Sequence, residues 1–329
     1  MEFLIEYGLF LAKTITIVVA IGAVIVMILM ATVKPKARKG ELIFEDLSAD
    51  HQDLVAALQQ DLLDKKQFKA WQKQQEQREE PTKRLFVIDF DGSVDAHEVE
   101  QLREEVTAVL AVATKDDEVL LRLESGGGVV HGYGLAASQL HRIKKQQIPL
   151  TIAVDKVAAS GGYMMACLAD KILAAPFAIV GSIGVVAQLP NFHRLLKKND
   201  IDVEQFTAGE FKRTVTLFAE NTDKGREKFQ QELEHTHDLF KNFVKEHRAV
   251  VEIDDVATGE HWFGYQALPL KLVDELTTSD DYLQSKLATH QLFHLKYQQK
   301  RSLAEKAGLA AAVAAKSVWL NAAKMAMGR

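Results

Sequence analysis

The sequence predicts an α/β protein with a mainly parallel sheet, preceded by one N-terminal transmembrane helix. Three observations carry this. Short apolar runs at 85–90, 118–124 and 149–155 read as strands, and amphipathic stretches from His97 and Val129 read as helices between them. Strands alternating with helices at this spacing build βα units around a parallel sheet. The third observation is "TITIVVAIGAVIVMILMATV", which carries no charge from Thr14 to Val33. At ~1.5 Å per residue it spans roughly 30 Å, the thickness of a bilayer's hydrocarbon core.

The N-terminal run reads as a retained anchor within residues 1–33. Its start carries Glu2 and Glu6, where a cleaved signal peptide wants basic residues, and no small-x-small exit follows. Lys34, Lys36, Arg38 and Lys39 follow the run, against Lys13 alone before it. The positive-inside rule then places the bulk of the chain in the cytoplasm. Residues 34–83 form a charged, Gln- and Lys-rich linker. Most of it reads as an exposed helix ending at Pro81, a spacer or an oligomer contact.

The core is expected over 84–290. After the third strand come short extended segments at 171–175 and 183–187, a helix at 191–198, a strand "IDVEQFTA" at 201–208, and a long polar helix at 223–247. The tail, 291–329, is basic, Ala-rich and helix-prone, suited to a membrane surface or a partner. The chain has 329 residues with 40 basic and 45 acidic ones, a net charge of −5 that does not suit a nucleic-acid binder. Cys167 is the single cysteine, which excludes an internal disulfide and a cysteine-based zinc cluster.

Ligands of parallel sheets gather at the carboxyl ends of the strands, and two glycine-rich stretches fall there. They are "LESGGGVV" after the second strand and "VAASGGY" after the third. Neither fits a dinucleotide fingerprint or a phosphate-binding loop. Ser160, followed by Gly161 and Gly162, stands where a strand meets a helix. Such a junction is either a tight turn for close packing or a nucleophile beside free helix N–H groups. Paired glycine loops can form an oxyanion hole, and a serine nucleophile needs a base. His131, His141, His193, His235 and His237 read as surface or satisfied histidines. A lysine stripped of its charge is the other solution. Lys212, in "TAGEFKRTVTLF" among Phe211, Val215, Leu217 and Phe218, is the candidate. A free lysine has a pKa of about 10.4, and burial against apolar groups lowers it.

"RLESGGGVVHGYG", "VDKVAASGGYMMA", "PFAIVGSIGVVAQ", "TAGEFKRT" and "ATGEHWFGYQA" with "LVDE" after it together resemble the signal peptide peptidase A family of serine peptidases. The resemblance covers roughly residues 1–295. It implies a ClpP/crotonase-like peptidase domain and a Ser-Lys dyad that needs neither metal nor cofactor. By motif, Ser160 is the nucleophile, Lys212 the general base and Ser182 the group that orients the lysine. The N–H groups of Gly127 and Gly161 form the oxyanion hole. Gly126 stands where the family carries proline, so this wall is expected to be floppier. The resemblance further implies an inner-membrane serine endopeptidase, acting on signal-peptide remnants or damaged membrane-proximal chains. It implies a periplasmic face, against the charge bias, and a homo-oligomer with active sites between subunits. The competing readings are a crotonase-like acyl-CoA enzyme and a non-catalytic membrane scaffold on the same fold.

Overall fold

The computed structural model describes residues 40–77 and 81–298, together with Phe10, Lys13 and Thr14. The predicted anchor at 14–33 and the tail beyond 298 lie outside the described residues. No helix among the described residues is long and apolar enough to cross a membrane. One compact unit spans Leu42–Gln298.

In chain order the elements are β1 (Glu41–Asp46), α1 (Leu47–Leu62), α2 (Lys65–Glu76), β2 (Lys83–Gly92), α3 (Val99–Val112), β3 (Glu118–Ser125) and α4 (Val130–Lys145). Then follow β4 (Leu150–Val154), β5 (Val157–Ala159), α5 (Gly161–Ala166), β6 (Lys171–Ala174), β7 (Ile179–Gly181), α6 (His193–Lys198) and α7 (Asp223–His247). The last are α8 (Ile253–Val256), β8 (His261–Phe263), α9 (Gly264–Ala267), β9 (Glu275–Leu276), α10 (Ser279–Lys286) and β10 (His290–Gln298).

The main path of the sheet runs β1-β10-β2-β3-β4-β6-β9, and a branch leaves β3 through β5 and β7 to β8. From β10 through β9 the pairs are parallel, and so are those of β5 with β3 and β7; β7 with β8 is antiparallel. Parallel strands covered on both faces read as continuous apolar runs, because neither side chain direction meets water. In β2, Phe86, Ile88 and Phe90 enter the core that holds α3 and α4. Leu85 and Val87 enter the opposite one, with Leu120, Leu292 and Tyr282.

Four expectations change. The linker and tail boundaries move, because both flanks of the core contribute to the sheet. Leu292 and Leu295 are buried in β10, whose parallel register beside β2 runs from His290↔Lys83 to Leu295↔Ile88. Ser48 at the start of α1 accepts the Leu292 N–H through its Oγ at 2.9 Å. The single helix expected within 34–83 is a strand and two helices. Asp64 breaks it by capping α2, accepting N–H groups from Lys66 and Gln67. The strand expected at 201–208 is absent, and those residues are exposed. Ile201 and Val203 alternate with Asp202 and Glu204, but Phe206 breaks the period, and no strand among the described residues pairs with the segment. Likewise the extended strand of this region is 179–181 rather than 183–187.

Candidate active site

The branch of the sheet brings the two predicted serines together. Register pairs Ser125 of β3 with Ala158 of β5, and Ala159 of β5 with Gly181 of β7. Ser160 and Ser182 are therefore the next residues of two adjacent parallel strands, side by side at their carboxyl ends. Both turn into positive φ, 52° for Ser160 and 51° for Ser182. Such backbone costs a non-glycine residue about 1–3 kcal/mol and persists only where its surroundings over-determine it. Here they do. The Ser160 N–H donates to Gly181 O at 2.8 Å, and the Met164 N–H closes the first turn of α5 onto Ser160 O at 3.0 Å. The Ser182 N–H donates to Glu260 O at 2.7 Å.

The glycines beside Ser160 are required by contact. A Cβ on Gly161 would lie 2.4 Å from the Tyr133 ring, and one on Gly162 would lie 2.6 Å from Ser125 O. Gly127, with φ +85°, approaches so closely that its Cβ would fall 2.6 Å from Gly161 N and 2.7 Å from Ser160 Cβ. The two glycine-rich stretches thus pack on each other, with Ser160 at their junction. As the first residue of α5, Gly161 has an N–H with no acceptor inside its helix. The Gly127 N–H donates to Ser125 Oγ at 3.1 Å. Of the two predicted oxyanion donors, the second is thus held within its own loop. Gly126 has open space around it, with nothing within 4 Å of a Cβ.

Ser125 and Tyr133 escape the sequence reading. Tyr133 is buried in α4, and its hydroxyl donates to Ser93 O at 2.7 Å, so it accepts from Ser125 Oγ. This chain, Ser93–Tyr133–Ser125–Gly127, ties the glycine loop to the end of β2. Burial raises the Tyr133 pKa, so the hydroxyl stays a donor. The signal for Ser125 was its place at the end of a strand. Nothing in the sequence marked Tyr133 apart from an ordinary core aromatic.

Lys212 is placed differently. It is exposed, where the sequence predicted a buried apolar setting. Among the described residues its hydrogen bond is backbone, from its N–H to Gly209 O at 3.2 Å, and none joins it to Ser160 or Ser182. The physical reason is that its apolar neighbours find other partners or none. Phe211 lies under the Lys224 and Lys228 ammonium groups, 5.7 and 5.5 Å from them. Phe218 stacks on Phe192 with ring centroids 6.2 Å apart, and Phe206 is 87% exposed. Lys212 instead lines an open cavity of about 740 Å³ with Leu189, Phe206, Val215 and Phe218.

Among the described residues no histidine hydrogen-bonds Ser160. His131 and His235 are exposed. His141 packs edge-on to His247, 5.5 Å between ring centroids. His193 opens α6. His237, expected to face solvent, turns inward and bonds Ile183 O through Nε2 at 3.1 Å. The helical period carried that signal, because Phe240 and Val244 of the same face are buried.

The family model for peptidase family S49 matches residues 142–293, and the model for the N-terminal part of that family matches 2–140. The chain is 50% identical to a probable protease SohB of Haemophilus influenzae, over 93% of this chain and 92% of that one. It is 46% identical to a putative protease SohB of Buchnera aphidicola subsp. Baizongia pistaciae, over 92% of this chain and 93% of that one. Protease 4 of Haemophilus influenzae is 27% identical over 59% of this chain and 32% of its own length. Full-length relatives at this identity, and family models that cover both the glycine loops and the Lys212 loop, place the chain: it belongs to peptidase family S49.

Proposed function

We propose that this family S49 peptidase is a serine endopeptidase whose nucleophile is Ser160 and whose base is Lys212. The observation that supports the reading best is the strained Ser160 at a carboxyl strand end, packed between Gly127 and Gly161 and beside Ser182. Neutral Lys212 takes the proton of Ser160 Oγ as that oxygen bonds to the scissile carbonyl carbon. The oxyanion is met by the Gly161 N–H, and by the Gly127 N–H once it leaves Ser125. The amine departs with the proton from Lys212, leaving an acyl-serine that water hydrolyses by the same route. Ser182 Oγ orients the lysine. No metal or cofactor takes part.

We read the site as completed between subunits of a homo-oligomer. The Lys212 loop is anchored at its base, where a Cβ on Gly225 would lie 2.2 Å from Thr214 O. From Gly225 to His237, which holds the Ser182 strand end, α7 runs roughly 18 Å at ~1.5 Å per residue. An exposed lysine loop with exposed Phe206, set that far along the helix, suits insertion into a neighbouring copy. Burial there would take the ammonium out of water and favour its neutral form. Residues 14–33 are proposed as a single-pass anchor in a bacterial inner membrane, which directs the activity to signal-peptide remnants or damaged membrane-proximal polypeptides.

The test is labelling of the full-length chain in detergent with a fluorophosphonate probe. Label on Ser160 that is lost in Lys212→Ala is the expected result. Saturable coenzyme A binding without label would favour the acyl-CoA reading, and neither signal would leave the scaffold. A membrane-impermeant probe used on intact cells separates a periplasmic from a cytoplasmic site.

A further inference from the structure

Ser182 follows β7 in a backbone conformation that costs free energy, and something must hold it on both sides. On its N-terminal side the hold is visible: its own N–H donates to Glu260 O, next to β8. On its C-terminal side the chain enters 183–190, which has no ladder partner among the described residues. A residue at a free strand end relaxes to a commoner φ unless the residue that follows it is fixed. The fixing contact is His237 Nε2 on Ile183 O, at 3.1 Å. A carbonyl only accepts, so Nε2 carries the proton here, in the neutral ring or in the imidazolium. Ile183 itself is fully buried, which leaves its peptide little room to drift.

The element that supplies His237 is built to be stiff. α7 is the longest helix among the described residues, capped by Thr222 through the Gly225 N–H at 3.1 Å. Phe240 and Val244, on the face that carries His237, seat it in the core. The Lys212 loop is packed against the first turn of the same helix through Thr214 and Phe211. One rigid rod therefore touches both the loop of the proposed base and the residue after the proposed lysine-orienting serine.

We propose that His237 is a positioning residue for catalysis, holding Ser182 in its working conformation through the Ile183 carbonyl. The inference rests on the reading of Ser182 as the group that orients the lysine. His237 does not touch substrate and carries no proton in the reaction. Its role is to keep Ser182 Oγ aimed at the place the lysine must occupy. Misplacing such a group by about an ångström costs up to ~10²-fold in rate.

The experiment is a double-mutant cycle on the full-length chain in detergent, reading kcat and KM for a peptide substrate separately. His237→Phe keeps the ring's bulk and removes the donor, and His237→Gln keeps a donor. Expected is a loss of ~10-fold or more in kcat for His237→Phe, with KM within ~2-fold, and recovery of most of it in His237→Gln. In the Ser182→Ala background His237→Phe should cost nothing further, since a group that acts through Ser182 has nothing left to position. Equal losses in both backgrounds overturn the proposal while leaving the Ser182 reading intact. A Ser182→Ala chain as fast as wild type removes that reading, and the proposal with it. Loss of a pH–rate limb in His237→Gln would make the histidine a proton carrier and also overturn it. Should His237→Phe fail to fold, a His237→Gln chain that folds but loses as much kcat as Ser182→Ala decides against it, because the donor alone is claimed to matter.

Discussion

The serine side of the site and the lysine side are built on opposite physical terms. Ser160 and Ser182 extend paired strands, their backbones are pinned by hydrogen bonds, and neighbouring glycines are packed to the limit of contact. Lys212 lies on an exposed loop whose Phe218 stacks on Phe192, whose Phe211 lies under lysines and whose Phe206 is exposed. A single chain thus prebuilds one half of the proposed chemistry and only presents the other. Strain is affordable at Ser160 because the sheet enforces it, whereas no such scaffold surrounds Lys212. In the proposed mechanism, what activates Lys212 as a base must come from what covers that loop.

The largest expected effect removes either half. Ser160→Ala and Lys212→Ala should each lower peptidase kcat by ~10³-fold or more, and Lys212→Arg as much, since a guanidinium does not deprotonate. Turnover assays on the purified variants, with unfolding midpoints as control, check this. A Lys212→Ala chain close to wild type would break the comparison outright.

Complementation asks where the lysine half goes. Ser160→Ala and Lys212→Ala co-expressed in equal amounts should regain about a quarter of wild-type activity if each site draws its serine and lysine from different copies. Activity no higher than that of the separate variants would return both halves to one chain.

The tightness of the serine side is tested at Gly161. Gly161→Ala drives a methyl group into Tyr133, an overpacking worth about 1–3 kcal/mol of stability. We expect a lower melting temperature and at least ~10-fold less kcat. Glycine-to-alanine at Gly209, in the lysine loop, meets no atom within 4 Å, though its φ of +96° still strains an alanine. Its effect should stay well below that of Gly161→Ala.

A pH test separates frame from loop. Glu105 of α3 is 3% exposed and accepts the Tyr297 N–H at 2.7 Å, near the end of β10. Burial pushes its carboxyl up to about 7, with the negative charge of Asp89 adding to the shift. Asp89 itself is pushed up by burial, but hydrogen bonds from His294 and Arg122 outweigh that and hold it at about 2. For Glu105 the native state keeps its proton over a range where the unfolded chain has lost it. Stability therefore falls as pH rises from the ordinary carboxylate range to about 7, by about 3 kcal/mol at ~1.4 kcal/mol per unit. Glu105→Gln cannot titrate. Its urea midpoint should gain on the wild type's between pH 5 and pH 8, and a constant gap would contradict the assignment.

The smallest effect is expected at Gly126. With open space around it and no positive φ, Gly126→Pro should keep kcat within ~2-fold or raise it by stiffening the loop. A large loss would mean that the Gly126–Gly127 peptide must turn to free the Gly127 N–H from Ser125.

Much of this molecule was legible before any coordinates. The strands of the core and α3, α4 and α7 follow from apolar runs and helical periods, which are local. Asp64 and the buried Leu292 were less visible, because a cap interrupts a polar helix silently and a strand that leads into a basic tail reads as part of it. For the proposed site, Ser160, Ser182 and the glycines stand out by motif. Their meeting was not, since register between β5 and β7 is a long-range fact.

By itself the sequence determined the α/β class and the family, and it marked the residues proposed to carry the chemistry. Backbone periodicity and short motifs are properties of neighbours along the chain. Only the tertiary structure decided that Ser160 and Ser182 stand side by side, that Tyr133 and Ser125 hold the glycine loop, and that His237 faces inward. It also decided that Lys212, apolar in its sequence surroundings, is exposed. Burial and pairing belong to whatever surface arrives opposite a residue, and its flanking sequence cannot state what that surface is.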